Sequence, residues 1–507
     1  MVAIDLNRIA CSWFREQDCT LSILVVMGYL SVMSALKSSG YSGSPPLWLA
    51  LLAGAAAGGM GWGIRGQYGH ETGAMLSGAL VGFTLMLLFG AKLLPRTVLV
   101  AIAMLTVGIG IGGLETYGQT IGLTQNKEVL GNAAAFAWGE LGLFIKGGLW
   151  IAIGATFFGS ALSGRGWTLK HILSVLGIMM ATFLLGQRLL NMPFDPEAHR
   201  LPLLNFSADW RWTPDATLDV LKPRQERWGG LLFAWLALMS YRGFVQRDRM
   251  AVVFGCAGFV AGGIGFAGGQ LWQAGHAWFP DVYKQVFGQV DSLMNWWNIM
   301  EMTFGCVWGA ALAGVMYKVK GEMRDYPVTD AKEVSPILVY VLMGVYCALL
   351  YVWTFCSFPW FDAVADLGIP MTLIPMLLIV VGGVRGAALV ALPLTALPIA
   401  AKTYVALCTE SSRLPRISGF AWLIVLPLVM LTGAIATRQT KAAPLLATGL
   451  TVVTLVYFGL NFAFFDFPWP WQPPTGRTPS TLLFTVDVAV LLGMIWWMGR
   501  GENRVVG

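Results

Sequence analysis

Charge is scarce in this chain. Of 507 residues only 12% are Asp, Glu, Lys or Arg, about half the ~25% of a soluble domain, which excludes a water-soluble globular protein. Histidine is rarer still, with four copies and no metal-ligand spacing among them, so no metal is expected. The seven cysteines stand at 11, 19, 256, 306, 347, 356 and 408, none in Cys-x-x-Cys, and five lie in or beside apolar stretches. That excludes a disulfide framework or a zinc ribbon and leaves small buried hydrophobes. The net charge of +6 is spread over short loops. With no basic block, nucleic acid is not an expected partner, and the charges read as membrane topology.

Signature motifs are missing as well. There is no G-x-x-x-x-G-K-[ST], no H-E-x-x-H and no G-x-S-x-G, so no catalytic residue and no cofactor is assigned. Gly108 to Gly113 match G-x-G-x-x-G by letter, but no strand precedes them and the stretch is membranous, which excludes a dinucleotide site. A cleavable signal peptide is not expected, because Asp5, Arg8, Arg15, Glu16 and Asp18 precede any apolar core.

Apolar sequence is what the chain has in abundance. Hydrophobic residues make up 56%, with a mean hydropathy of +0.66. The expected fold class is an all-α polytopic integral membrane protein. About 20 apolar residues cross a bilayer. Spans are expected near 20–36, 46–64, 73–94, 97–117, 139–160, 171–190, 229–243, 250–272, 301–317, 336–356, 370–384, 386–401, 419–437, 443–463 and 480–499. This gives roughly 13–15 transmembrane or re-entrant helices. Leu6, Ile9, Ala10, Trp13 and Phe14 share one helical face, so 1–19 reads as an interfacial amphipathic helix. An N-terminal bundle (20–190), an ordered external loop (191–228), a second bundle (229–333) and C-terminal helix pairs (334–507) follow.

Basic residues orient the middle of the chain. Arg165 and Lys170, then Arg242, Arg247 and Arg249, then Lys318, Lys320 and Arg324 occupy three loops that share a side if the spans alternate. That side is expected to be cytoplasmic, in the plasma (inner) membrane, with Arg500 and Arg504 placing the C-terminus there too.

Two glycine-dense stretches lie inside apolar spans: GGMGWGIRGQ (Gly58 to Gln67) and GGIGFAGGQ (Gly262 to Gln270), each reaching a Gly-His soon after. Glycine breaks at matching places in two halves point to a transporter's substrate site, whereas small residues also pack helices closely. Further echoes join Pro336 to Trp360 with Pro444 to Trp469, and Gly63–Gly66 with Gly383–Gly386 around Arg385. They read as internal repeats of helix pairs, against convergence on membrane composition.

Ionisable groups within spans are costly and face a cavity or a partner. Arg65, with Gln67, His70 and Glu71, forms an anion-favouring group at the first motif, unless Arg65 merely pairs with Glu71 at the surface. Glu115 either pairs with Arg65, binds a proton or cation, or ends its helix. Glu140 and Lys146 are six residues apart, about 240° beyond a full turn, so each needs its own partner, or Lys146 snorkels. Asn298, Glu301, Gly305 and Trp308 line one helical face, and Gln270 closes the second motif. Asp487 is the isolated carboxylate of the C-terminal spans, and Arg385 its conceivable partner. The aromatic runs at Ser357 to Asp362 and Phe465 to Pro474 read as an interfacial belt.

These features support transport of a small polar solute, anionic or hydroxyl-rich and sugar-like forms included, through a central cavity and driven by a gradient. Arg65, Gln67, His70, Glu71, Gln270, Asn298 and Trp308 are the expected solute contacts. Glu115, Glu140, Glu301 and Asp487 are the expected ion or proton carriers. The expected partners are the lipid bilayer and the solute; the oligomeric state is left open. Two alternatives stand: a membrane-embedded transferase or hydrolase for a lipid-linked or glycan substrate, and a structural subunit of a membrane complex.

Overall fold

The computed structural model describes residues 45–66, 70–215, 217, 221, 223–327, 335–355, 358–360, 364, 369–391, 441–464 and 473–500. The expected interfacial helix, the spans at 20–36 and 419–437, most of 386–401, and Gln67 lie outside them, as do residues 465–472 of the second aromatic run.

Among the described residues the chain is helical, and the only bridges are two isolated ones. Helices α1 (Leu47–Arg65), α2 (Glu71–Phe89), α3 (Pro95–Gly112) and the short α4 (Gly118–Gln125) come first. The long α5 (Ala133–Ala161), then α6 (Leu169–Leu190), α7 (Trp228–Ser240) and the long α8 (Arg249–Trp278) follow. Beyond the short α9 (Pro280–Phe287) and α10 (Gln289–Leu293) lie α11 (Trp296–Val319), α12 (Pro336–Phe355), α13 (Ile369–Ala391), α14 (Ala442–Phe464) and α15 (Thr478–Arg500). Seven of these, α1, α3, α5, α6, α8, α11 and α15, are long and apolar enough to cross a membrane, and four shorter apolar helices accompany them. The described residues form helices and no strands, and the protein is a multi-pass membrane protein. Helices α1 to α14 and α15 as far as Leu491 fall in one compact unit, Pro45–Leu491.

Sequence explains which helices lie inside. Gly54 and Gly58 of α1 meet Gly309 and Gly305 of α11 backbone to backbone, with no room for a Cβ on either side. The α5–α8 seam is built alike, Gly147 against Gly262 and Gly148 against Phe259, and Gly108 of α3 meets Gly154 of α5. Lipid tails give apolar helices little reason to associate, so close packing of small residues does the holding. The residues left outside are apolar too: Leu173, Ile178, Leu184, Leu185 and Leu189 of α6 are exposed, as a surface facing lipid requires.

The second glycine stretch corrects an expectation. Residues 262–270 sit in the middle of α8, which runs unbroken from Arg249 to Trp278. These glycines receive α5 and α11 and do not open the helix. The first stretch ends a helix, at Arg65 and Gly66. A true interruption occurs in α13, where Gly383 takes φ 56° and ψ −132°, a conformation that costs glycine little.

The three basic loops gather at one end, as alternating spans require. Arg324 N–H donates to Leu162 O (2.9 Å) and Trp167 N–H to Tyr326 Oη (2.7 Å). Arg249 pairs with Glu322 (2.8 Å), and Arg242 pairs with Asp248 while lying 4.4 Å over the Trp167 ring. The connection after α6 is at the opposite end, where Ala208 N–H donates to Gln119 O (3.1 Å) and Trp138 Nε1 to Asn205 O (2.9 Å).

Candidate functional site

Two buried charge clusters lie side by side at this second end. Arg65 is the last residue of α1, where a cation suits the negative end of the helix dipole. Its side chain is 1% exposed. Nη2 donates to Tyr117 Oη and lies 3.3 Å from Glu301 Oε1. The guanidinium also rests on ring faces, 5.0 Å from the Trp62 centroid, 5.2 Å from Tyr117 and 4.9 Å from Trp150. A planar, weakly hydrated cation tolerates such a cage. Arg65 Nε has no hydrogen-bond partner among the described residues. His70, stacked on Trp150 at 5.9 Å, extends the cage.

Glu301 collects donors on a single oxygen. Tyr117 Oη (3.0 Å) and Trp297 Nε1 (3.2 Å) donate to Oε1 beside Arg65. Asn298 Nδ2 donates to Gly63 O (2.7 Å), satisfying a carbonyl at the end of α1 that the helix itself cannot. The spacing of Asn298, Glu301, Gly305 and Trp308 thus yields one face, and that face meets α1. Trp308 lies deeper, edge-on to Trp62 at 6.2 Å, as packing beneath the cluster.

The second cluster centres on Lys146, 0% exposed in α5, one turn from Trp150. Nζ lies 2.7 Å from Glu226 Oε1, 3.2 Å from Glu115 Oε1, 2.8 Å from Thr116 O and 2.8 Å from Thr120 Oγ1. Three N–H donors therefore face four oxygens. The carboxylates are held in turn. Phe206 N–H donates to Glu226 Oε2 (2.9 Å), and Thr116 and Arg227 N–H donate to Glu115 (2.9 and 3.0 Å). Residues 115–117 join the clusters, Glu115 facing Lys146 and Tyr117 facing Arg65.

This arrangement revises three expectations. Arg65 takes its carboxylate from Glu301, on α11, and Glu115 belongs to Lys146. Lys146 does not snorkel: desolvation is offset by two carboxylates and two further oxygens. Glu140 and Lys146 do point to different surroundings, as their spacing requires. Glu140 Oε1 has no hydrogen-bond partner among the described residues. Gln270 is fully buried and donates to Thr124 Oγ1 (2.8 Å). Asp487 is half-buried in α15, its Oδ2 near the Gly59–Cys306 contact of α1 and α11 and without a hydrogen-bond partner among the described residues. Glu71 opens α2, its Cα against Gly113.

Trp62, Tyr117, Trp150, Trp297 and Glu226 escaped the sequence reading as site residues. The aromatics look like ordinary span residues, and Glu226, flanked by Gln225 and Arg227, looks like a solvated loop position. The usable signal was the cost of an arginine and a lysine in apolar surroundings, which demands partners without naming them.

An open cavity of about 780 Å³ adjoins the first cluster. Gln125, Gln273, His276, Asn295, Trp296, Trp297 and Arg477 are among its walls. Trp297 lines this cavity and its Nε1 donates to Glu301, so this indole touches both the open space and the buried charges. Among the described residues no group of His, Cys, Asp or Glu could hold a metal ion. No family model, no curated protein and no solved structure matches this chain.

Proposed function

We propose that the protein moves a small polar solute across the membrane, driven by a gradient, with the Arg65–Tyr117–Glu301 cluster as its inner binding point. The observation that carries this reading is the indole of Trp297, which lines the open cavity and bonds that cluster. Arg65 would meet the anionic or hydroxyl oxygens of the solute with its unsatisfied Nε, and Glu301 would exchange a coupling proton or ion as Arg65 changes partner. Glu115 is the weaker carrier, since both its oxygens already accept hydrogen bonds. Glu140 and Asp487 remain outlying carboxylates. The remaining expected spans and the internal repeats belong to this reading, as does the assignment of the basic end and the C-terminus to the cytoplasm.

Proteoliposome counterflow tests it with labelled glucose, myo-inositol, succinate and phosphate. Uptake of at least one of these is expected above protein-free vesicles. Arg65→Lys, which keeps the charge but loses the planar fork, should lower it at least tenfold. Undiminished uptake by that variant removes Arg65 from the path, and absence of uptake for all four solutes counts against transport.

A further inference from the structure

We infer that the cavity beside Trp297 is a recognition site for an uncharged, hydroxyl-rich solute of sugar or polyol type, an inference that rests on the transport reading for its role. Its chemistry singles out that class. Two indoles, Trp296 and Trp297, and three primary amides, Gln125, Gln273 and Asn295, share the walls. The half-buried indole of Trp297 can accept the C–H face of a sugar ring, Trp296 being buried and already stacked on His276, while amides offer both donor and acceptor to hydroxyls. The volume of about 780 Å³ lies within the ~300–1,000 Å³ of small-molecule sites.

The walls are set in advance. Trp296 Nε1 donates to Asp291 Oδ1 (3.1 Å), and its ring stacks on His276 at 5.5 Å. Asn295 Oδ1 caps α11 by accepting from Asn298 N–H (3.1 Å), which leaves its NH₂ to give. Gln273 Oε1 has no hydrogen-bond partner among the described residues.

The charges disfavour an anion. His276 lies 3.4 Å from Asp291, and Arg477 already has a partner. Among the described wall residues neither His276 nor Arg477 is without a partner, so no lone cation stands there to select a carboxylate or phosphate. The solute binds here by stacking and amide hydrogen bonds, and only then meets Arg65.

Saturation-transfer NMR on the full chain in nanodiscs tests this, with maltose, myo-inositol and succinate as probes. Saturation should reach the C–H protons of maltose and inositol and not those of succinate. Gln273→Ala and Gln125→Ala, both at half-buried positions that tolerate truncation, should each weaken the apparent affinity about fivefold. Succinate binding in preference to the sugars, or affinities unmoved in both variants, overturns the inference. Sugar binding without counterflow uptake of any of the four solutes keeps the recognition site and counts against transport; uptake of sugar without saturation does the reverse.

Discussion

The Arg65 and Lys146 clusters share one stretch of backbone and one turn of α5, yet they are built on opposite rules. Lys146 is a compact point charge, and the fold surrounds it with oxygen, four acceptors for three donors. Arg65 is planar and diffuse, and the fold surrounds it with rings, leaving, among the described residues, one carboxylate and one N–H without a hydrogen-bond partner. The Lys146 cluster ties the loop before α7 to the bundle through Glu226 and is closed. The Arg65 cluster is incomplete and borders open space. A buried charge with every bond made serves structure, whereas one with a bond to spare, beside a cavity, is where a ligand gains most.

Substitutions can break this contrast in order of size. Lys146→Met leaves two buried carboxylates facing each other, so a loss of about 5 kcal/mol is expected, at the upper end for breaking a buried pair. It should be read as failure to recover folded protein by size-exclusion chromatography. Glu301→Gln strips Arg65 of its countercharge but spares the rings, for about 3 kcal/mol, measured by thermal unfolding in detergent. Glu226→Gln should cost less, about 1–2 kcal/mol, because Glu115 still balances the ammonium. An equal or larger loss than Glu301→Gln would show that the two clusters do not differ as described. Thr120→Val removes one of four oxygens around Lys146 and should cost about 1 kcal/mol in the same assay.

Much of the architecture was legible because lipid makes the rules strict. The apolar runs at 46–64, 97–117, 139–160, 171–190, 250–272, 301–317 and 480–499 each coincide with one of the long helices. The three basic loops converge on one end, and the spacing from Asn298 to Trp308 describes a face. What sequence hid was partner identity. Nothing near Lys146 marks Glu226, 80 residues on, and nothing near Arg65 marks Glu301. Glycine patterns were ambiguous for a physical reason: the feature that lets a helix open also lets two backbones touch. In α8 the second outcome prevails, because Gly147 and Phe304 occupy the space beside Gly262 and Gly265.

The sequence distance between partners has a consequence for biogenesis. Glu301 lies 236 residues after Arg65, so at ~5–20 residues per second synthesis leaves the guanidinium roughly 12–50 s without its carboxylate. Lys146 is better placed, since Glu115 is made before it and Glu226 arrives about 4–16 s later at that rate. The ring that Arg65 has from the outset is that of Trp62, three residues earlier on its own helix. Of the three rings that cage Arg65, only that of Trp62 is made before the arginine itself; Tyr117 and Trp150 come later in the chain.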